Sequence, residues 1–158
     1  MQFKVTDAVK KTVIVTKGEN KKAKSVKIPA TVTVNNVQCE VVEIAANAFK
    51  GYTKLKKAVI GDNVVKIGKT AFSGCKNLTT VTIGKKVTSI EAKCFFNCKK
   101  LRKAVFKGAG VKTIKSKAFK GTKANIRVSF PKAMKAKQKK KMKTMLKKAG
   151  ISRKAVIK

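Results

Sequence analysis

The chain contains no His, no Trp and a single Tyr, Tyr52, among its 158 residues. Without His it lacks the commonest general base, the usual metal ligand and every His-dependent triad. Acids are nearly as scarce: Asp7, Glu19, Glu40, Glu43, Asp62 and Glu91 are all there are, isolated except for Glu40 and Glu43. A carboxylate-pair hydrolase or a carboxylate metal cage has too few groups to be built. Neither an enzyme nor a metal or other cofactor is expected. No run of about 18 apolar residues exists, so no helix is expected to span a membrane. The start, MQFKVTDAVK, has no apolar core of the kind a secretory leader carries. A piece of a larger secreted protein would look the same.

What the chain has in excess is positive charge. Lys and Arg total 41 against six acids, a formal net charge of +35, and only Arg102, Arg127 and Arg153 are arginine. Hydrophobic residues make up 43% of the chain, which excludes a disordered basic tail. The length suits one domain.

The apolar residues recur with a fixed period. Ile44, Ile67, Ile90 and Ile114 are spaced 23, 23 and 24 residues apart, and so are Phe49, Phe72, Phe95 and Phe119. Val41, Val64, Val87 and Val111 keep the same step; Leu55, Leu78 and Leu101 follow it until Asn125 replaces the fourth Leu. Within a unit, Leu78-x-x-Val81-x-Ile83 reads as a short strand with alternate residues inward. Thr70-Ala71-Phe72-Ser73-Gly74-Cys75 reads as a tight helical turn carrying Phe and Cys into the interior. A single unit cannot bury these groups, whereas stacked units share one core. Gly61, Gly84 and Gly108 mark a corner after each strand. Gly51, Gly74, Asn97 and Gly121 suit positive φ at the end of the turn.

The unit V-x-x-I-x-x-x-A-F-x-x-C-x-x-L-x-x-V-x-I resembles the BspA-type leucine-rich repeat, familiar from bacterial surface antigens. The flanks KKAKSVKIPATVTVNNVQCEVVEIAANAF and LKKAGISRKAVIK are similar to the ends of such arrays in Gram-positive gut anaerobes. The resemblance implies a leucine-rich repeat solenoid of short parallel strands and tight helical turns. It also implies a cell-surface or secreted protein engaged in adhesion or binding. The units depart from the pattern where Cys94 replaces alanine, Phe96 follows Phe95, Thr122 takes the Cys position and Asn125 the Leu position.

We divide the chain into an N-terminal β cap (1–40), four repeats of 23–24 residues (41–133) and a Lys-rich helical cap (134–158). Phe3–Val5, Thr12–Thr16, Ser25–Ile28, Thr31–Val34 and Val37–Val42 read as strands of β-hairpins that pair onto the first coil. Pro131 opens a helix ending at Gly150, with Met134, Gln138, Met142, Met145, Leu146 and Ala149 on one side. A short strand, Ala155–Ile157, follows.

Cys75 and Cys98 occupy equivalent positions in adjacent coils, about 4.8 Å apart, a separation a disulfide could bridge. The plainer reading, small buried hydrophobes, is favoured because Tyr52 and Thr122 serve in the other coils. Cys94 and Cys98 have no second pair and no His to complete a zinc site.

Two surfaces are candidates for binding. One is the outward strand face, where Lys56, Lys57 and Val59 align with Thr79, Thr80 and Thr82, then Arg102, Lys103 and Val105, then Ile126, Arg127 and Ser129. The other is the basic helix, including Lys139, Lys140 and Lys143. For each, a merely solvated face is the bland alternative. Lysine-dominated charge without interleaved aromatics fits teichoic acid, sulfated glycan or a membrane surface better than base readout. The expected function is non-catalytic binding of a host or bacterial surface protein, or of such an anionic polymer, by a chain that is monomeric. The alternatives are a nucleic-acid or other polyanion binder driven by net charge, and a structural spacer or attachment module.

Overall fold

The computed structural model describes residues 1–158. A hairpin of β1 (Gln2–Asp7) and β2 (Thr12–Lys17) is followed by β3 (Ser25–Lys27) and a second hairpin, β4 (Thr31–Val34) and β5 (Val37–Ile44). Short strands then recur in each unit: β6 (Lys57–Val59), β7 (Lys66–Ile67), β8 (Thr80–Ile83), β9 (Ser89–Ile90), β10 (Lys103–Phe106), β11 (Thr113–Ile114) and β12 (Arg127–Ser129). Helix α1 (Ala136–Lys148) and β13 (Val156–Ile157) close the chain.

These elements form a solenoid with two sheets. The first runs β1-β2-β5-β7-β9-β11, with β4 at the side of β5; the second runs β13-β12-β10-β8-β6-β3. Coil-to-coil pairing is parallel, as successive turns of one hand require. Both hairpins are present, and β5 carries the second directly into the first sheet. Strand β3 belongs to no hairpin: it pairs in parallel with β6, so the stack runs ahead of Val41.

The period becomes a set of columns. Ile44, Ile67, Ile90 and Ile114 are register partners across β5, β7, β9 and β11. The Phe rings stack along the axis, with centroids 5.1 Å (Phe49–Phe72), 5.5 Å (Phe72–Phe95) and 5.2 Å (Phe95–Phe119) apart. Ile67, Phe72, Leu78 and Ile83 are fully buried, as the strand-and-turn reading requires, and no polar or charged residue is buried anywhere.

A third ladder joins the turns. The N–H groups of Asn47, Phe49 and Gly51 donate to the carbonyls of Lys69, Ala71 and Ser73 in the next coil, at 3.0, 2.8 and 2.8 Å. Between them, Ala48, Lys50 and Tyr52 donate three residues back within their own coil. This alternation needs left-handed residues at both ends of the turn. Gly51, Gly74, Asn97 and Gly121 supply one series, as expected; Asn47, Thr70, Lys93 and Lys117, at φ +56° to +62°, supply the other. The second series is invisible in sequence, because Thr and Lys seldom adopt that conformation.

The corner glycines face a different demand. A Cβ on Gly84 would sit 2.1 Å from the carbonyl oxygen of Gly61, and one on Gly108 would sit 1.9 Å from that of Lys85. Neighbouring backbones leave no room for any side chain there.

The fourth unit corrects the alignment. Ile126, expected outward beside Arg127, is fully buried, while Asn125 is exposed. The Ile126 N–H donates to the Lys123 carbonyl as that of Leu101 donates to Cys98. The turn is one residue longer and the step into β12 one residue shorter, so Ile126 takes the inward Leu site while Arg127 keeps its register with Lys103.

All four cysteines are buried free thiols. Cys75 and Cys98 each donate to the carbonyl of the Phe one coil earlier (Phe49 and Phe72), both at 3.2 Å. Burial holds the Cys94 thiol well above its ordinary pKa.

Helix α1 begins at Ala136, not at Pro131. The Met134 N–H closes a turn onto the Pro131 carbonyl, and Lys135 is extended with its N–H on Gln138 Oε1 at 3.0 Å. Gln138 is thereby drawn to the exposed N-terminal end, and half-buried Lys139 joins the stripe instead. Met134, Met142, Leu146, Ala149 and Ile151 are buried. The Phe119 N–H donates to the Ala149 carbonyl at 3.0 Å, so the turn ladder continues onto the end of α1. Gly150, at φ +85°, terminates the helix.

Candidate binding surface

The second sheet presents its outward residues in rows, because every strand alternates. Ala58, Val81, Ala104 and Val128 point into the core, so their neighbours point out. Register sets Lys57, Thr80, Lys103 and Arg127 side by side, between Ser25 and Val156. A second row holds Lys27, Val59, Thr82, Val105 and Ser129. Lys57, Lys103 and Arg127 are exposed, whereas Thr80 and Thr82 are half-buried between neighbours. Lys56 and Arg102 stand exposed just before β6 and β10; the Lys56 carbonyl accepts from the N–H and hydroxyl of Thr79, at 2.8 and 2.9 Å.

The structure therefore gathers Lys56, Lys57, Thr80, Thr82, Arg102, Lys103 and Arg127 on one face. It does not bring the helix lysines there: α1 packs against β11 of the first sheet. Lys140 and Lys143 are exposed on α1, and Lys139 is half-buried.

Two shallow hollows mark the end of the strand face nearest the C-terminus. One, of 410 Å³, is lined by Thr80, Arg102, Lys103, Lys123, Asn125 and Arg127. The other, of 540 Å³, shares Lys103 and Arg127 and adds Ser129, Val156 and Lys158. Lys123 and Lys158 were not singled out in the sequence. Nothing separates them from the other lysines until the longer fourth turn and the β12–β13 pairing place them here.

Electrostatics sharpen the difference between the two ends. Residues 92–158 hold 24 Lys and Arg and no acid; residues 1–91 hold 17 and all six acids. Five cations pair with acids: the N-terminal amine with Glu19 (2.7 Å), Lys10 with Asp7 (3.5 Å), Lys66 with Glu43 (3.0 Å), Lys86 with Glu40 (3.7 Å) and Lys107 with Asp62 (3.4 Å). None of the cations lining the two hollows has an acidic partner. A face of this kind attracts anions.

No helix is long and apolar enough to cross a membrane. No curated protein shows significant similarity to the chain. Among solved structures, a leucine-rich repeat protein from Bacteroides capillosus superposes with a TM-score of 0.70 at 24% identity, over 82% of this chain and 92% of that one. A leucine-rich repeat protein from Bacteroides ovatus superposes with a TM-score of 0.66 at 28% identity, over 84% of this chain and 36% of its own. A leucine rich cell surface protein from Faecalibacterium prausnitzii gives 0.65 at 27%, over 84% and 35%. The chain thus spans about a third of the latter two proteins. The model of the BspA type leucine rich repeat region matches residues 19–140 in six copies, two more than the four units counted from Val41. With its periodic columns, stacked parallel strands and this match over most of its length, the chain belongs to the BspA-type leucine-rich repeat family.

Proposed function

We propose that the chain is a non-catalytic binding or adhesion module of a bacterial surface or secreted protein. Its contacts lie on the outward face of the second sheet and the surrounding basic surface. Leucine-rich repeat proteins generally serve as binding scaffolds, and stacked strands offer an extended platform of repeated positions. The observation that carries the reading is the in-register row Lys57, Thr80, Lys103 and Arg127. It is supported by the Faecalibacterium neighbour, described as a cell surface protein. The partner is a surface protein or an anionic polymer, and the chain acts as a monomer.

The second reading is a polyanion binder driven by charge alone, nucleic acid included, and the +35 net charge favours it. A panel of surface proteins, teichoic acid, sulfated glycan and nucleic acid, assayed at low and high salt, separates the two. Saturable binding that survives moderate salt and weakens on Lys57→Gln/Lys103→Gln supports the module. Binding that vanishes with salt for every polyanion alike supports the second reading.

A further inference from the structure

Resting on that reading, we propose that the C-terminal end of the strand face is a discrete cleft for the sulfate esters of a glycan chain, centred on Arg102, Lys103, Lys123 and Arg127. Two of the chain's three arginines stand here, one coil apart, on a protein that elsewhere uses lysine almost exclusively. Arginine's planar fork donates two parallel hydrogen bonds to an oxyanion, which lysine's point charge does not. The two hollows share Lys103 and Arg127 and so lie side by side across β8, β10, β12 and β13, along the solenoid axis. No acidic side chain lines either hollow, and none follows Glu91 in the chain.

The uncharged groups narrow the occupant. Thr80, Asn125 and Ser129 interleave hydroxyl and amide groups with the cations. That alternation matches a chain in which anionic groups alternate with sugar hydroxyls. Single strands of nucleic acid are held by aromatic platforms that stack on their bases, and neither hollow has an aromatic residue in its lining: Tyr52 is buried with its hydroxyl on the Gly18 carbonyl, and the four Phe of the axial column lie inside. The occupant is therefore a sulfated glycan lying along the solenoid axis.

The test measures affinity of the full chain for a heparin-derived oligosaccharide at physiological salt. The variants are Arg102→Gln/Arg127→Gln, the charge-matched helix pair Lys140→Gln/Lys143→Gln, and Arg102→Lys/Arg127→Lys. Unfolding midpoints establish that each variant folds. The strand-face Gln pair is expected to weaken binding about tenfold or more, the helix pair less than about threefold, and the Lys pair to fall between wild type and the strand-face Gln pair. The desulfated oligosaccharide is expected not to bind. Equal losses from the two Gln pairs, a Lys pair that binds like wild type, or undiminished binding of the desulfated chain would overturn the cleft. So would single-stranded DNA of equal charge binding as tightly and responding to the same variants. If a protein ligand from the panel is lost with the strand-face pair while sulfated glycan never binds, the cleft fails and the binding module stands. If the strand-face pair weakens no ligand, both fail.

Discussion

At the scale of single residues the phenylalanines carry the stack. Phe72 lies face to face with Phe49 and Phe95, at 5.1 and 5.5 Å, and is fully buried. Removing its ring leaves a cavity bounded by two aromatic faces that cannot close without shifting three coils. Phe72→Ala is expected to cost about 3–5 kcal/mol in denaturant unfolding; a loss under about 1 kcal/mol would contradict axial stacking. Cys94 makes a pH prediction. Burial raises its folded pKa above the ordinary 9.0, so the neutral thiol's contribution is complete below that value and is lost as pH rises through the folded pKa. Unfolding free energy should therefore fall more steeply above pH 9 in wild type than in Cys94→Ala, which carries the alanine found at Ala48, Ala71 and Ala118. Equal slopes would show that this thiol is not the titrating group.

At the scale of elements the C-terminal segment is the informative one. Nine lysines at and beside α1 repel one another with no acid nearby, so the isolated helix is marginal. Its order comes from docking: Met134, Met142 and Leu146 are buried, and Ala149 receives the Phe119 N–H that the next coil would otherwise accept. We propose that residues 134–158 act as the cap of the solenoid. Deleting them uncovers Phe119 and Val128 and the edge of β12, which β13 covers. Aggregation or loss of cooperative unfolding is expected in light scattering and thermal scans. A truncated chain that stays monomeric and equally stable would make the segment an appendage.

At the scale of the whole molecule, a linear stack converts a sequence gradient into a spatial one. The 24 cations of residues 92–158, of which only Lys107 has an acidic partner, gather toward one end of the solenoid, and their self-repulsion opposes folding. Added salt shortens the screening length from about 30 Å at 0.01 M to about 8 Å at 0.15 M, so the urea midpoint should rise across that range. A midpoint independent of salt would mean that the lysines are spaced widely enough to ignore one another.

The sequence by itself determined the solenoid, its family and the inward columns, because burial at a fixed period leaves the same residue types at the same step. Ile, Phe, Val and Leu could not recur every 23 residues for any other reason. Its glycine signals were legible only where glycine is the usual answer, so the positive-φ series at Asn47, Thr70, Lys93 and Lys117 passed unseen. Local propensity also placed the helix start at Pro131, where the chain instead makes a turn ending in the Lys135–Gln138 contact. Only the tertiary structure decided that Ile126 turns inward in place of Leu, since the extra residue of the turn is absorbed before β12, whose register with β10 is kept. It alone separated the strand-face cations from the helix lysines and brought Lys123 and Lys158 beside Arg127. Charge carries no address in a chain with 41 basic residues; cross-strand register supplies one, because neighbours on a sheet are set by hydrogen bonds between residues a full coil apart.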